Sequence, residues 1–268
     1  MRQIFNMSAV TSVMLFLFLS ATAQDQVIDA SDPTKIYTYV GGGLKYLDYT
    51  NGESMIELRA TGNLGLSDTD MILFELGYGW HDGDLVPGDD SGWTNARVRW
   101  FHVVKMSYDV GSGYRGWSTQ VDLQLAGALK GTDGQNVLAA GIMPTYGLNE
   151  EWNLYLSLNA VAAWDKGFKK YNGAGIAIAP NFVYSTDTWW PGAQVQIMLD
   201  YKYFLSGSLD GEGDATAEVN VGGEITPTIM WDVTGQKNFK LDLTSLRRGN
   251  DTGLKNDWNI FLNVTTYF

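Results

Sequence analysis

The chain has 268 residues, a formal net charge of −12 and no cysteine. An acidic chain is a poor partner for nucleic acid, because phosphate binding requires clustered basic side chains. The lack of cysteine excludes disulfides, thiolate metal sites and cysteine nucleophiles. Aromatic residues are abundant, with 10 Trp, 14 Tyr and 11 Phe, and 31 glycines accompany only 6 prolines. A chain of this length and composition is compatible with a single all-β domain.

Residues 1–23 are predicted to form a cleaved signal peptide. Arg2 supplies a positive charge, residues 13–19 form an apolar run, and Ala21-Thr22-Ala23 resembles a cleavage site. A membrane-spanning helix would need ~20 apolar residues, about twice the length of this run. Residues 24–34 are then expected to be an unstructured periplasmic leader.

Residues 35–268 alternate apolar residues with polar or small ones, in runs separated by Gly, Asp and Asn. This pattern is typical of a transmembrane barrel, whose strands place one face toward lipid and the other toward the lumen. We therefore predict an all-β fold, a transmembrane antiparallel up-and-down β-barrel of about 12 strands over residues 35–268. The strands are predicted near 35–49, 53–66, 71–82, 93–108, 116–130, 136–148, 152–165, 173–185, 193–206, 216–231, 238–248 and 256–268.

The connections between these runs alternate in length. The short set is 67–70, 148–151, 188–192 and 234–236, and the longer set is 82–92, 165–172, 206–215 and 249–256. Bacterial outer-membrane barrels have short periplasmic turns and longer external loops. Both termini of the barrel chain are therefore expected in the periplasm, and no domain boundary is visible within the barrel.

The run 152–164 tests the strand length against a membrane. One face carries Trp152, Leu154, Leu156 and Leu158 and ends on Trp164. Twelve residues at ~3.3 Å, tilted by ~45°, advance about 28 Å along the membrane normal, which places a Trp at each interface. The predicted aromatic girdle comprises Trp117, Trp152, Trp164 and Trp258.

Charged residues on the opposite faces of the strands are predicted to line the lumen, because a basic residue facing hydrocarbon at mid-depth costs ~2–4 kcal/mol. These candidates are Lys45, Glu57, Arg59, Glu75, Arg97, Arg99, Lys105, Asp122, Asp200, Lys202, Glu218, Glu224, Lys240 and Asp242. Two interpretations stay open. Either a basic stripe of Arg59, Arg97 and Arg99 opposes acids on the far wall along a solute path, or neighbouring charges pair and close a narrow barrel.

The chain ends on Phe268, after a last strand that alternates as the others do. Outer-membrane barrels typically finish on an aromatic residue that the assembly machinery reads, so Phe268 is the candidate assembly signal. The expected partners are the barrel assembly machinery, outer-membrane lipid and lipopolysaccharide, and a small-molecule solute. The protein is expected to be a monomer of the outer membrane.

Catalysis is the main competing class of function, since some barrels of this size hydrolyse lipids. A Ser/His site needs an imidazole beside a nucleophile, and the chain has only His81 and His102. No serine follows His81 at close spacing, and His102 lies on an apolar face without a companion hydroxyl. We expect no enzyme, no cofactor and no metal site. Asp210, Glu212 and Asp214 form an acidic loop that lacks full calcium-loop spacing.

Several short stretches resemble a group of proteobacterial outer-membrane proteins named for the meta-pathway of phenol degradation. They are 65–70 (GLSDTD), 95–101 (NARVRWF), 113–116 (GYRG), 146–149 (YGLN) and 265–268 (TTYF). The resemblance implies a channel that takes up hydrophobic aromatic compounds, whereas the charged lumen fits a polar or amphipathic solute. The sequence therefore predicts a channel for small solutes by passive diffusion. A nucleoside-type channel, another specific channel of twelve strands, a structural envelope barrel and a lipid-modifying enzyme are the alternatives.

Overall fold

The computed structural model describes residues 28–48, 54–82, 91–109, 111–129, 135–242 and 256–268, without the side chains of 82, 240–242 and 256–257. The predicted signal peptide and residues 24–27 lie outside these ranges. Among the residues described, no helix is long and apolar enough to cross a membrane.

Twelve antiparallel strands close into one barrel, which confirms the predicted fold. Each strand pairs with its neighbours in the chain, and β1 pairs with β12 from Tyr39 opposite Tyr267 to Asp48 opposite Trp258. The strands are β1 Tyr39–Asp48, β2 Ser54–Gly65, β3 Asp70–Asp82, β4 Ser91–Met106, β5 Gly113–Ala126, β6 Gln135–Gly147, β7 Trp152–Asp165, β8 Tyr171–Thr186, β9 Ala193–Phe204, β10 Glu212–Thr226, β11 Ile229–Asp242 and β12 Asn256–Tyr267.

The two ends of the barrel differ in their connections. One end, which we call the turn mouth, carries the short connections 66–69, 107–112, 148–151, 187–192 and 227–228. Both ends of the barrel chain lie there, because β1 begins and β12 ends at this edge. The other end is the loop mouth, where the described connections are 127–129, 166–170 and 205–211.

Alternation divides the strands into an inner and an outer face, apart from local bulges such as those in β4 and β5. In β7 the outer residues Leu154, Leu156 and Leu158 alternate with inner ones, and the inner Tyr155 is only 1% exposed. The same holds for β12, where Ile260, Leu262 and Val264 are among the most exposed apolar side chains of the protein. An apolar outer surface of this extent favours contact with hydrocarbon rather than water.

Aromatic side chains form two belts on the outer surface, one near each mouth. At the loop mouth Trp258 packs against Tyr46, and Trp164 lies near Phe168 and Tyr171. At the turn mouth Trp152 packs against Tyr184 at 5.1 Å between ring centroids. Trp117 lies in register with Pro144, also near the turn mouth. The four tryptophans of the predicted girdle are thus divided between the two belts, where amphipathic rings suit a membrane interface.

The sequence prediction of a turn at 234–236 is wrong. The structure carries β11 straight through Gly235, which lies opposite Val219 and Ile260, and turns at 227–228 instead. Thr234-Gly235-Gln236 has the composition of a turn, but the strand pairings on both sides continue through it. The consequence is that Asp232, predicted to precede a turn, lies within a strand.

The barrel packs apolar side chains inside each mouth. Near the turn mouth the inner residues Met71, Phe101, Met143, Tyr155 and Val183 come from β3, β4, β6, β7 and β8 and form one cluster. At the loop mouth Leu209, in a short 3₁₀ turn at Gly207–Leu209, packs with the inner residues Phe204 and Val161. The first cluster lies on strands between β3 and β8 and the second on β6 to β9, so neither extends around the whole barrel.

Candidate solute pathway inside the barrel

Six charged side chains on β2 to β5 form a continuous set that we call the arginine wall: Glu57, Arg59, Glu75, Arg97, Arg99 and Asp122. Arg59 Nε donates to Glu57 Oε1 at 2.7 Å, and Arg59 also lies 3.9 Å from Glu75. Arg97 bridges Glu75, at 3.4 Å, and Asp122, at 2.9 Å from its Nε. Arg99 Nη2 donates to Asp122 Oδ2 at 2.9 Å. Three bases and three acids leave the arginine wall formally neutral.

Glu57 and Asp122 are the most enclosed members of the arginine wall. Their side chains are 2% and 5% exposed, whereas those of the three arginines are 19–28% exposed. Gly77 on β3 provides the space for Glu57, because a Cβ at this position would lie 3.0 Å from Glu57 Cδ and 2.2 Å from Thr94 Oγ1. A buried carboxylate needs such partners, since an unpaired one is costly.

The opposite side of the lumen, on β9 to β11, is the acidic wall: Asp200, Asp214, Glu218 and Asp232. Lys202 reaches Asp214 at 4.0 Å. Asp232 accepts hydrogen bonds from Asn220 at 3.0 Å and Asn263 at 2.8 Å. Among the side chains that the structure describes, no cation lies within 4.0 Å of Asp200 or Glu218. This wall is therefore less neutralised than the arginine wall.

Lys45 stands between the two walls on β1. It is 8% exposed, and its Nζ lies 3.5 Å from Gln236 Oε1. Gln236 Oε1 also accepts a hydrogen bond from Asn259 Nδ2 at 2.7 Å. Among the described side chains, Lys45 therefore contacts a neutral amide and has no carboxylate within 4.0 Å.

Lys105 does not lie on the inner face as the sequence predicted. The strand pairing shifts between Val103 and Lys105, so that Lys105 falls opposite Trp117, an outer residue. Lys105 is exposed at the turn mouth. A β-bulge reverses the faces beyond it, and the bare alternation of the sequence does not reveal a bulge.

Three other predicted lumen residues lie near the ends of their strands. Glu224 is close to the turn mouth, where its side chain lies beside Gly192. Lys240 and Asp242 fall in β11 opposite Asp214 and Glu212; their side chains lie outside the described part of the chain. That solute passes the predicted lumen residues stays a prediction.

The sequence interpretation missed three inner charges: Arg115, Asp214 and Asp232. The sequence pattern predicts Asp214 in a loop and Asp232 beside the wrongly predicted turn. Arg115 is inserted by a bulge between Tyr114 and Gly116, where Gly116 has a φ of +148° that favours glycine. A register built from period two alone misplaces all three.

Residues 28–38 fold back into the turn mouth, which corrects the expectation of an unstructured leader for residues 28–34; residues 24–27 lie outside the described ranges. We call residues 28–35 the inner segment and residues 36–38 the hinge. Within the inner segment, Asp32 Oδ1 accepts from the Thr34 amide at 2.9 Å and from its hydroxyl at 2.5 Å. Lys35 Nζ donates to Asp29 Oδ2 at 2.5 Å. Thr34 is 0% exposed. These local turns are typical of Asp and Thr.

The inner segment contacts inner faces far apart around the barrel. Ser185 Oγ on β8 donates to Ser31 Oγ at 2.6 Å, and Asp32 lies 3.8 Å from the Arg115 guanidinium on β5. Tyr108 OH, between β4 and β5, donates to the Thr34 carbonyl at 3.1 Å. Ile28 packs with Met230 on β11. The segment therefore crosses the lumen at the turn mouth.

Charge pairing inside the segment shifts two pKa values. Burial raises the pKa of Asp29, but hydrogen bonds from Lys35 and Ser31 outweigh it, so the pKa lies below its ordinary value of 3.8. Burial lowers the pKa of Lys35, but the Asp29 carboxylate outweighs it, so the pKa lies above 10.5. Both groups therefore stay charged over the neutral pH range.

The two histidines occupy different faces. His102 is an outer residue near the turn mouth, where its Nδ1 lies 3.0 Å from Asp70 Oδ1 and its ring stacks on Trp100. Ser67 donates to the same carboxylate, at 3.0 Å from Oδ2, and no Ser67–His102 bond is formed. His81 lies opposite the inner residue Met55. In the described ranges no group of three or more His, Asp or Glu side chains is placed to hold a metal ion.

No family model matches the chain, and no curated protein matches it. The resemblance to the phenol meta-pathway group therefore stays a prediction. The fold and the polar interior place the chain in the structural class of closed, twelve-stranded barrels.

Solved structures share this architecture over most of their length. An outer membrane channel from Pseudomonas putida F1 is 12% identical, covers 93% of this chain and 100% of its own, and has a TM-score of 0.59. The KdgM porin in complex with disordered oligogalacturonate is 10% identical, covers 86% of this chain and 99% of its own, and has a TM-score of 0.52. The NanC porin is 8% identical, with coverages of 86% and 99% and a TM-score of 0.51. At these identities the similarity shows the fold alone.

Proposed function

We propose that the protein is an outer-membrane channel that passes small solutes by passive diffusion. The observation that carries the proposal is the division of the barrel wall. Its outer face is a band of Leu, Ile and Val between two aromatic belts, and its inner face holds the arginine wall, the acidic wall and Lys45. A charged interior inside an apolar exterior is the arrangement of a barrel that conducts polar solutes across lipid.

The proposed solutes are small and polar or amphipathic. Guanidinium, carboxylate and amide groups on facing walls offer both donors and acceptors, as a polar solute requires. The KdgM porin, whose structure holds oligogalacturonate, shows that a barrel of this fold accommodates an acidic sugar. The family resemblance points instead to aromatic compounds, and an amphipathic aromatic acid would satisfy both lines of reasoning. A nucleoside-type channel is the third option within the same class.

The proposal includes the location and the partners. The apolar outer band needs lipid, lipopolysaccharide would surround the loop mouth, and the assembly machinery would read β12 and Phe268. We propose a monomer, and no catalytic activity. His102 pairs with Asp70 and not with a hydroxyl nucleophile, which supports a positional role for its ring. The proposed absence of catalytic activity is tested by an assay for lipase or deacylase activity in the wild-type protein and in His81→Ala. Activity that is lost in the variant would make the protein an enzyme.

Planar-bilayer recording of the purified, folded protein tests the channel directly, with liposome flux of aromatic acids, nucleosides and acidic sugars alongside. Two variants change opposite walls. Asp122→Asn leaves an extra positive charge on the arginine wall and should shift the reversal potential toward anion selectivity, and Lys202→Met should shift it toward cation selectivity. Lys105→Met is the matched control, because Lys105 lies outside the lumen and its loss should change nothing.

If the protein conducts ions but neither Asp122→Asn nor Lys202→Met shifts the reversal potential, the ions do not pass the arginine wall or the acidic wall. Absence of both conductance and flux, in the wild-type protein and in Asp32→Asn, which weakens the hold of the inner segment on Arg115, would refute the channel.

A closed structural barrel is the second candidate, favoured by the crossing of the turn mouth by residues 28–35. It predicts a sealed barrel in every variant named above. It also predicts that chelation of divalent cations weakens attachment of the barrel to lipopolysaccharide through the acidic loop. Flux through the wild-type protein would exclude it.

A further inference from the structure

The inner segment closes the turn mouth by contacts that differ in kind from those of the barrel wall. We infer that residues 28–35 are a displaceable plug, held by Asp32 and Ser31, whose release opens the turn mouth. This inference rests on the proposed channel function. It assigns a regulatory role to a stretch that the sequence suggests is only a leader.

The first argument is that the hinge is fixed to the barrel wall by its own hydrogen bonds, which do not involve the plug. The hinge is fixed to the barrel wall, because Asn63 Nδ2 donates to the Tyr37 carbonyl at 2.7 Å and the Phe268 amide donates to the Thr38 carbonyl at 2.9 Å. The Gly65 amide also donates to Thr38 Oγ1 at 3.1 Å. Residues 28–35 can therefore leave the lumen while the hinge and β1 keep their pairing.

The second argument is the character of the contacts beyond the hinge. They consist mainly of single polar contacts: Ser185 with Ser31, Tyr108 with the Thr34 carbonyl, and the Arg115–Asp32 ion pair at 3.8 Å. Ile28 supplies the apolar anchor. Water can replace hydroxyl and carbonyl partners at little net cost, whereas a packed apolar core cannot be opened in this way.

The plug retains its local shape when it is released. The hydrogen bonds from Thr34 to Asp32 and the Lys35–Asp29 pair lie within the segment. The plug can therefore swing as a compact turn about the hinge, and it carries its own charge pair with it. Arg115 is left with the Asn153 amide and the Ser107 and Tyr108 carbonyls, so the barrel wall remains intact.

A disulfide tests the inference, because the natural chain has no cysteine. The hydroxyl oxygens of Ser31 and Ser185 lie 2.6 Å apart, a separation that brings the two side chains close enough for a disulfide. The double variant Ser31→Cys/Ser185→Cys is oxidised, recorded in a planar bilayer, and then reduced in the same membrane. The single variants Ser31→Cys and Ser185→Cys, treated in the same way, are the matched controls.

We expect the oxidised double variant to lose at least tenfold in open probability and to regain it on reduction, while the single variants do not respond. Asp32→Asn keeps the acceptor for Thr34 but removes the charge that faces Arg115, and its open probability should rise several-fold above that of the wild-type protein. Equal conductance of the oxidised and reduced double variant would overturn the plug and leave the channel standing. Absence of conductance in the reduced variant, the wild-type protein and Asp32→Asn would overturn the channel and the plug together.

Discussion

Replacing Asp122 with asparagine tests whether the arginine wall stabilises the barrel. The carboxylate is 5% exposed and accepts hydrogen bonds from both Arg97 and Arg99. Arg97 keeps Glu75 as a partner at 3.4 Å, whereas Arg99 loses the ion pair that the structure gives it. Breaking a buried ion pair costs ~3–5 kcal/mol, and the arginines here are partly exposed, so we expect a loss of about 2–3 kcal/mol.

Asp200→Asn is the matched control on the acidic wall. Among the described side chains, Asp200 has no cation within 4.0 Å, so its neutralisation removes a partly buried charge and no ion pair. The expected change in the free energy of unfolding is within about 0.5 kcal/mol of zero, or a small gain. The two substitutions are chemically identical, and only their surroundings differ.

Urea unfolding of the protein in lipid vesicles, followed by tryptophan fluorescence and by electrophoretic mobility before and after heating, measures both variants. A double-mutant cycle with Arg99→Met isolates the Asp122–Arg99 pair, and we expect a coupling of about 1–2 kcal/mol, within the range observed for residues in contact. Equal losses in Asp122→Asn and Asp200→Asn, or no coupling in the cycle, would refute the reasoning that partners decide the cost.

Three further predictions concern the packing, the plug and the assembly of the barrel. Gly77→Ala should destabilise it by about 1–3 kcal/mol, since the new Cβ would lie 2.2 Å from Thr94 Oγ1; Gly235→Ala, with nothing within 4 Å of its Cβ, is the control and should be neutral in the same unfolding assay. The lowered pKa of Asp29 stabilises the folded turn of the plug above pH 3.8, and this contribution is lost as pH falls through the lowered value; the raised pKa of Lys35 gives a contribution that is lost only as pH rises above 10.5. Because this ion pair lies within the plug and moves with it, open probability should be flat from pH 5 to 9, and a steep change near neutrality would contradict this. Phe268→Ala should slow folding when the assembly machinery is present and leave spontaneous folding into detergent unchanged, as measured by heat-modifiable mobility; equal slowing in both would show a purely structural role.

The sequence predicts the strands of the barrel wall better than it predicts the inner segment and the inner side chains beside bulges. In β7 every residue follows period two, and the predicted range 152–165 coincides with the strand. Alternation is decisive there because lipid and lumen impose opposite requirements on successive side chains. Prediction fails where a second constraint acts. Gly235 looks like a turn but lies in a paired strand, and the bulges beside Gly116 and Lys105 exchange inner and outer faces.

The local sequence pattern cannot predict the structure of the inner segment, for a different physical reason. Asp29, Ser31, Asp32 and Thr34 have the composition of a solvated leader, and their order comes from contacts with Ser185 and Arg115. Ser185 follows Ser31 in the chain by 154 positions. The alternation of neighbouring residues along the chain does not indicate such a long-range contact. Long-range pairing of polar groups appears only once the barrel brings the strands into a ring.

The strands that each ion pair joins bear on whether the charged side chains line a solute path or close the barrel. Every ion pair between described barrel side chains joins residues on the same strand or on neighbouring strands, such as Glu57 with Arg59 and Arg99 with Asp122. Pairs that run along a wall do not tie opposite walls together, so they stabilise the barrel without closing it. By contrast, the inner segment joins β5, β8 and β11 across the lumen. The charges are therefore the lining of the proposed path, and closure rests on residues 28–35.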